Sequence, residues 1–81
     1  MQMRTEPIRV GILGTGRIAV DTHVRAIREA GGEVAALADI APGRAERFAA
    51  RLGVPRHYET LEAMIAEGQI DAVDVCTPPV S

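Results

Sequence analysis

The chain alternates between two hydrophobic periods. Ile8-Arg9-Val10-Gly11-Ile12-Leu13-Gly14 is a short, mostly apolar run closed by glycine, the pattern of a buried parallel strand. From Arg17 to Ala30 the apolar or small positions Ile18, Ala19, Thr22, His23, Ala26, Ile27 and Ala30 recur at helical spacing, and Gly31-Gly32 stops the helix. Glu33 to Asp39 is a second apolar run with a carboxylate at its end. Pro42 suits a first helical turn, with Ala45, Phe48, Ala49 and Leu52 forming one apolar stripe and Gly53 the C-cap. Val54 to Tyr58 reads as a short edge strand. Thr60 is placed to cap a helix that buries Leu61, Met64 and Ile65 and stops at Gly68. Ile70 to Thr77 is the last apolar run, ended by Pro78-Pro79.

The pattern predicts β-α-β-α-β-α-β, an α/β chain with a parallel, doubly wound sheet and right-handed crossovers. In the usual order its four strands lie as 3-2-1-4. With 81 residues the chain is at most one domain, and a domain of this size is marginal unless braced. Cys76 is the sole cysteine and there are two histidines, so disulfides and multi-ligand metal clusters do not supply the brace. The reading is of an incomplete domain over 1–81.

Charge and composition narrow the chemistry. A net charge of −2 gives no electrostatic case for nucleic acid or an anionic membrane as partner. No apolar run is long enough to span a bilayer, and Arg4, Glu6 and Arg9 do not fit a signal peptide, so a cytoplasmic location is expected. All nine basic residues are arginine, which excludes Schiff-base chemistry, a lysine base or a P-loop lysine within these residues.

Gly14-Thr15-Gly16-Arg17-Ile18-Ala19 is a G-x-G-x-x-A match, placed after a strand and opening a helix. Gly14 permits the tight turn, Gly16 lets the backbone approach a pyrophosphate, and Ala19 allows the helix to pack closely on the strand. The helix N-terminus offers free N–H groups to phosphate. Alone the motif is weak, and its plain alternative is a glycine-rich turn. Asp39 strengthens it by closing the second strand roughly twenty residues on, where a ribose-binding carboxylate belongs. A carboxylate there accepts from both ribose hydroxyls and repels a 2′-phosphate, so NAD is favoured over NADP as cofactor. Arg44 is placed to stack near the adenine or pair with a 2′-phosphate, against a plain reading as a solvated helix residue. A methyltransferase or a flavoprotein is less economical: Ile12-Leu13, not an acid, precede Gly14, and the second strand closes with Asp, not Glu.

Other candidates read as structural. His23 fits a half-buried helix histidine, His57 an exposed edge residue and Cys76 a small hydrophobe with nothing nearby to lower its pKa. Gly11 reads as a packing glycine. Asp74 is unexpected in a buried strand, so either that face is partly wet or the side chain caps a neighbouring backbone group. Catalytic triads or paired carboxylates are not indicated.

The run Ile8 to Ala19 resembles the opening of the glucose-fructose oxidoreductase / inositol dehydrogenase / rhizopine-catabolism (Gfo/Idh/MocA) oxidoreductases. The likeness continues through His23, Ala38-Asp39, Arg44-Ala45, Leu52-Gly53-Val54, Tyr58 before Leu61, and Asp71 to Pro79, so it covers essentially the whole chain. The resemblance implies an N-terminal Rossmann domain binding NAD or NADP, and hydride transfer with a hydroxyl carbon of a sugar, cyclitol or related molecule. By position, Gly14, Thr15, Gly16, Arg17 and Ile18 would hold the pyrophosphate, Asp39 the adenosine ribose, and Thr77 and Pro78 the nicotinamide side. The family's Glu-Lys-Pro segment and substrate domain fall beyond Ser81, so no catalytic residue is assigned and the isolated chain is expected to bind at most the adenosine side of NAD(H). The alternative is a non-catalytic module that self-associates as a homodimer through the edge of its fourth strand.

Overall fold

The computed structural model describes residues 6–15 and 19–76. Its elements are β1 (Arg9–Leu13), α1 (Ala19–Glu29), β2 (Glu33–Ala38), α2 (Arg44–Leu52), β3 (Arg56–Tyr58), α3 (Leu61–Glu67) and β4 (Ala72–Val75). Every pairing is parallel and the sheet order is β3-β2-β1-β4, the Rossmann-like arrangement expected from the alternation.

Two apolar layers cover the sheet. On one face α1 and α2 bury Val20, Val24, Ala45 and Ala49 against Ile12, Val34 and Leu37. On the other, Met64 of α3 packs on Ala36 and Ala38, flanked by Leu13, Tyr58, Leu61 and Ile70. Small residues on the second face let α3 sit close. A Cβ on Gly11 would lie 2.8 Å from both Met64 Sδ and Ile70 Cδ1, so the strand glycine is a packing glycine as expected.

The register carries an irregularity that the sequence does not announce. Val10 pairs with Val34 but Gly11 with Ala36, leaving Ala35 as the extra residue of a bulge. A bulge inverts the alternation of side chains. It explains how Val34 and Leu37, three apart, both reach the α1–α2 layer.

Polar contacts fix the periphery. Arg9 donates through its backbone N–H at 2.9 Å, Nε at 3.2 Å and Nη2 at 3.1 Å to the Asp71 carboxylate, while the Asp71 N–H returns 2.7 Å to the Arg9 carbonyl. This joins the start of β1 to the approach to β4. Arg28 donates to the Leu52 carbonyl at 2.9 Å, satisfying an orphan acceptor at the end of α2. The Thr60 hydroxyl accepts from the Ala63 N–H at 3.1 Å, the N-cap expected for α3.

Three details differ from the sequence reading. The buried stripe of α1 runs through Val20, Val24 and half-buried Ile27, whereas Thr22, Ala26 and Ala30 are exposed; branched side chains bury more apolar area than alanines on a competing stripe. Pro42 lies in the turn ahead of α2, which Gly43 caps in a left-handed conformation. Ile65 is 59% exposed, because Met64 and Leu61 already fill the space over the small residues of β2. Asp74 keeps 32% of its side chain exposed, so that face is partly wet as expected, and its Oδ2 lies 2.5 Å from the His23 Nδ1, joining α1 to β4.

Candidate functional site

All four strands run in one direction, so the carboxyl ends of β1, β2 and β4 lie side by side. The Gly14 N–H donates to the Ala38 carbonyl at 2.7 Å and the Cys76 N–H to the Leu13 carbonyl at 2.7 Å. Gly14 adopts φ 94, the left-handed region that a glycine enters without penalty, and the chain turns off β1 there. Ligands of open α/β sheets bind outside this carboxyl edge, where the strand order reverses between β1 and β4.

Asp39 stands at that edge, directly after β2, and its backbone N–H donates to the Tyr58 carbonyl at 3.1 Å. Its side chain is 13% exposed and is held from three directions. The Thr15 N–H and hydroxyl donate to Oδ2 at 2.8 and 2.5 Å, and the Ala41 N–H donates to Oδ1 at 2.9 Å. Arg44, in the first turn of α2, places Nε 3.3 Å from the Thr15 carbonyl and 3.8 Å from Asp39 Oδ2. Burial pushes the Asp39 carboxyl up, but the hydrogen bonds from Thr15 and Ala41, with the charge of Arg44, outweigh it and hold the pKa below its ordinary value. The group is a fixed, ionised acceptor.

The structure thus brings together four residues of the sequence-based site: Gly14, Thr15, Asp39 and Arg44. The donors that Gly14 and Thr15 carry are already engaged within the protein. Gly16, Arg17, Ile18, Thr77 and Pro78 lie outside the described residues. Ile40 was not singled out by sequence reasoning. It is 82% exposed immediately beside Asp39, a bare apolar side chain next to an ionised carboxylate. Its signal was the residue type itself, an isoleucine after the strand's terminal acid.

Arg44 also faces the Phe48 ring at 5.8 Å, and Arg51 lies over the same ring at 4.6 Å. Together with Arg47 they line an open groove of about 370 Å³ along α2. Arg51 donates to Asp21 at 2.7 Å, so part of this charge is neutralised on the surface. His57 is exposed. Cys76 is buried at the end of β4, and burial, aided by the Asp74 charge, pushes its thiol pKa up, so it is a neutral packing group rather than a nucleophile. Among the described residues no group of three His, Cys, Asp or Glu side chains could hold a metal, and no helix is long and apolar enough to cross a membrane.

The donor set fits the adenosine half of a dinucleotide: an ionised acceptor for ribose hydroxyls, a bare apolar side chain beside it and a glycine turn at the reversal point of the sheet. The chain is similar to known dehydrogenases. The chain is 38% identical over 68 residues to a D-xylose 1-dehydrogenase (NADP(+)) of Haloferax volcanii, covering 84% of this chain and 21% of that protein. It is 39% identical over 72 residues to an inositol 2-dehydrogenase of Rhizobium meliloti, covering 88% and 21%. The crystal structure of the WlbA dehydrogenase from Bordetella pertussis, in complex with NADH and UDP-GlcNAcA, superposes with a TM-score of 0.78 at 33% identity, over 90% of this chain and 22% of that one. The chain therefore spans about a fifth of the length of the relatives it matches. Residues 8–81 match the oxidoreductase family with an NAD-binding Rossmann fold, and the chain belongs to that Gfo/Idh/MocA family.

Proposed function

We propose that residues 1–81 form the first half of the NAD-binding domain of an oxidoreductase acting on a sugar, a cyclitol or a similar hydroxyl compound, and that they hold the adenosine side of the cofactor. The observation that carries this reading is the Asp39 carboxylate, fixed and ionised at the carboxyl end of β2 beside the β1–β4 reversal. The names of the relatives, a xylose and an inositol dehydrogenase, support the substrate class. When bound, the nicotinamide ring supplies the hydride acceptor. The chain's own residues bind and orient: Asp39 accepts from the adenosine ribose, Ile40 covers one side of the adenine, and Gly14 turns the backbone toward the helix N-terminus that faces the phosphates. Thr77 and Pro78 are assigned to the nicotinamide side by family position.

Asp39 favours NAD over NADP by opposing a 2′-phosphate, and Arg44 does not reverse this because its Nε already lies against the Thr15 carbonyl and near Asp39. Calorimetric titration should give tighter binding of NADH than of NADPH, and Asp39→Ala should weaken NADH about tenfold, the loss of a hydrogen bond to a charged group. Equal affinities for the two cofactors would remove the preference. The 81-residue chain alone should form no NADH from NAD and substrate.

A second reading, self-association, is favoured by one observation. β4 pairs only with β1 among the described strands, and Val73 and Val75 on it are 40% and 59% exposed. An unpaired apolar edge can join its twofold copy. Sedimentation velocity at high concentration should then show a dimer, and a stable monomer would dismiss this reading.

A further inference from the structure

Thr15 is the one buried polar residue among the described residues, with no measurable exposure. A hydroxyl in that position needs a partner. Thr15 Oγ1 and the Thr15 N–H both donate to Asp39 Oδ2, while the Ala41 N–H takes Oδ1. An ionised carboxylate offers about four acceptor positions. Three are occupied by the protein, two on Oδ2 and one on Oδ1. These bonds fix both the rotamer and the plane of the carboxylate.

We infer that Thr15 is a positioning residue that sets cofactor specificity: it holds Asp39 so that the remaining acceptor position of Oδ1 meets the 2′-hydroxyl of the adenosine ribose. The inference rests on the reading of this chain as an NAD-binding segment and deepens it. In that role Thr15 contacts Asp39 rather than phosphate, although it sits inside the glycine motif. The positioning matters because Arg44 Nε lies 3.8 Å from Asp39 Oδ2. Without the hydroxyl, Oδ2 keeps only the Thr15 N–H and can shift toward a closer pair with that guanidinium. Such a pair withdraws the acceptor from the ribose and screens the charge that opposes a 2′-phosphate. Loss of the Thr15 hydroxyl therefore weakens recognition of the free 2′-hydroxyl and narrows the difference between NAD and NADP.

Calorimetry with ADP and 2′-deoxy-ADP on the 81-residue chain separates these effects. The unsubstituted protein should bind ADP about tenfold more tightly than 2′-deoxy-ADP. Thr15→Val, close in shape, should weaken ADP by about tenfold and leave 2′-deoxy-ADP within about twofold, while Thr15→Ser should keep ADP within about threefold of the original. Unchanged binding of the deoxy ligand also reports that Thr15→Val is folded. Should Thr15→Val weaken both ligands alike, abolish both, or leave ADP unaffected, the positioning role is overturned while the Asp39 reading survives. Equal binding of ADP and 2′-deoxy-ADP to the unsubstituted protein would overturn both.

Discussion

Asp39 shows how much of a site can be carried by the surroundings of one carboxyl. Left to burial alone its pKa would rise; Thr15, Ala41 and Arg44 reverse the sign. A carboxyl whose folded pKa lies below its unfolded value contributes stability above the unfolded value, about 3.9, and loses it as pH falls through the folded value. Unfolding midpoints measured from pH 6 downward should therefore fall through the acidic range, and Asp39→Asn should flatten that decline. Asp39 was legible in the sequence because the end of an apolar run and the distance from a glycine turn both point to it. The use of Thr15 was not, since the motif treats that position as free and the partner lies 24 residues away. The His23–Asp74 contact was hidden for a similar reason. It spans 51 positions and becomes legible only once β4 is placed beside β1.

Among the elements, terminators were easier to read than faces. Gly31 and Gly53 take φ 91 and 71 after α1 and α2, as glycines at helix ends commonly do. The end of α3 is different. Gly68 has φ −76, and a Cβ there would lie 2.5 Å from the Met64 carbonyl oxygen, so its requirement is space. The left-handed residue is Gln69, at φ 54. Replacing Gln69 with glycine should raise the unfolding free energy by about 0.5–1 kcal/mol, readable by urea denaturation, since relief of the left-handed strain exceeds the entropy cost of glycine. The face of α1 was misread because alanine and threonine satisfy helical periodicity as well as valine does, and only the packed volume decides between stripes. In β2 every residue from Val34 to Ala38 is buried, which leaves no alternation from which to detect the Ala35 bulge.

At the scale of the molecule the strand order was legible, because right-handed crossovers between parallel strands leave few arrangements. Its exposed margin leads to a prediction about assembly. Val73 and Val75 share the face that α3 only partly covers, whereas Asp74 is turned to His23 on the opposite face. Val75→Lys should shift any dimer seen by sedimentation velocity to monomer, as charged side chains do on natural sheet edges, while leaving ADP affinity unchanged. The same strand order has a kinetic meaning. β1, the first strand in the chain, is central, and its neighbours are β2 and β4, the last of the described strands. The β1–β2 pair can form from a short loop, but β4 must return across some sixty positions, to the Arg9–Asp71 contact at |i−j| 62, before the centre of the sheet is closed. Docking β4 is the step that closes the centre of the sheet, and pairing at so large a sequence separation is the slower kind. Until that step is taken, one flank of β1 stays open to another chain.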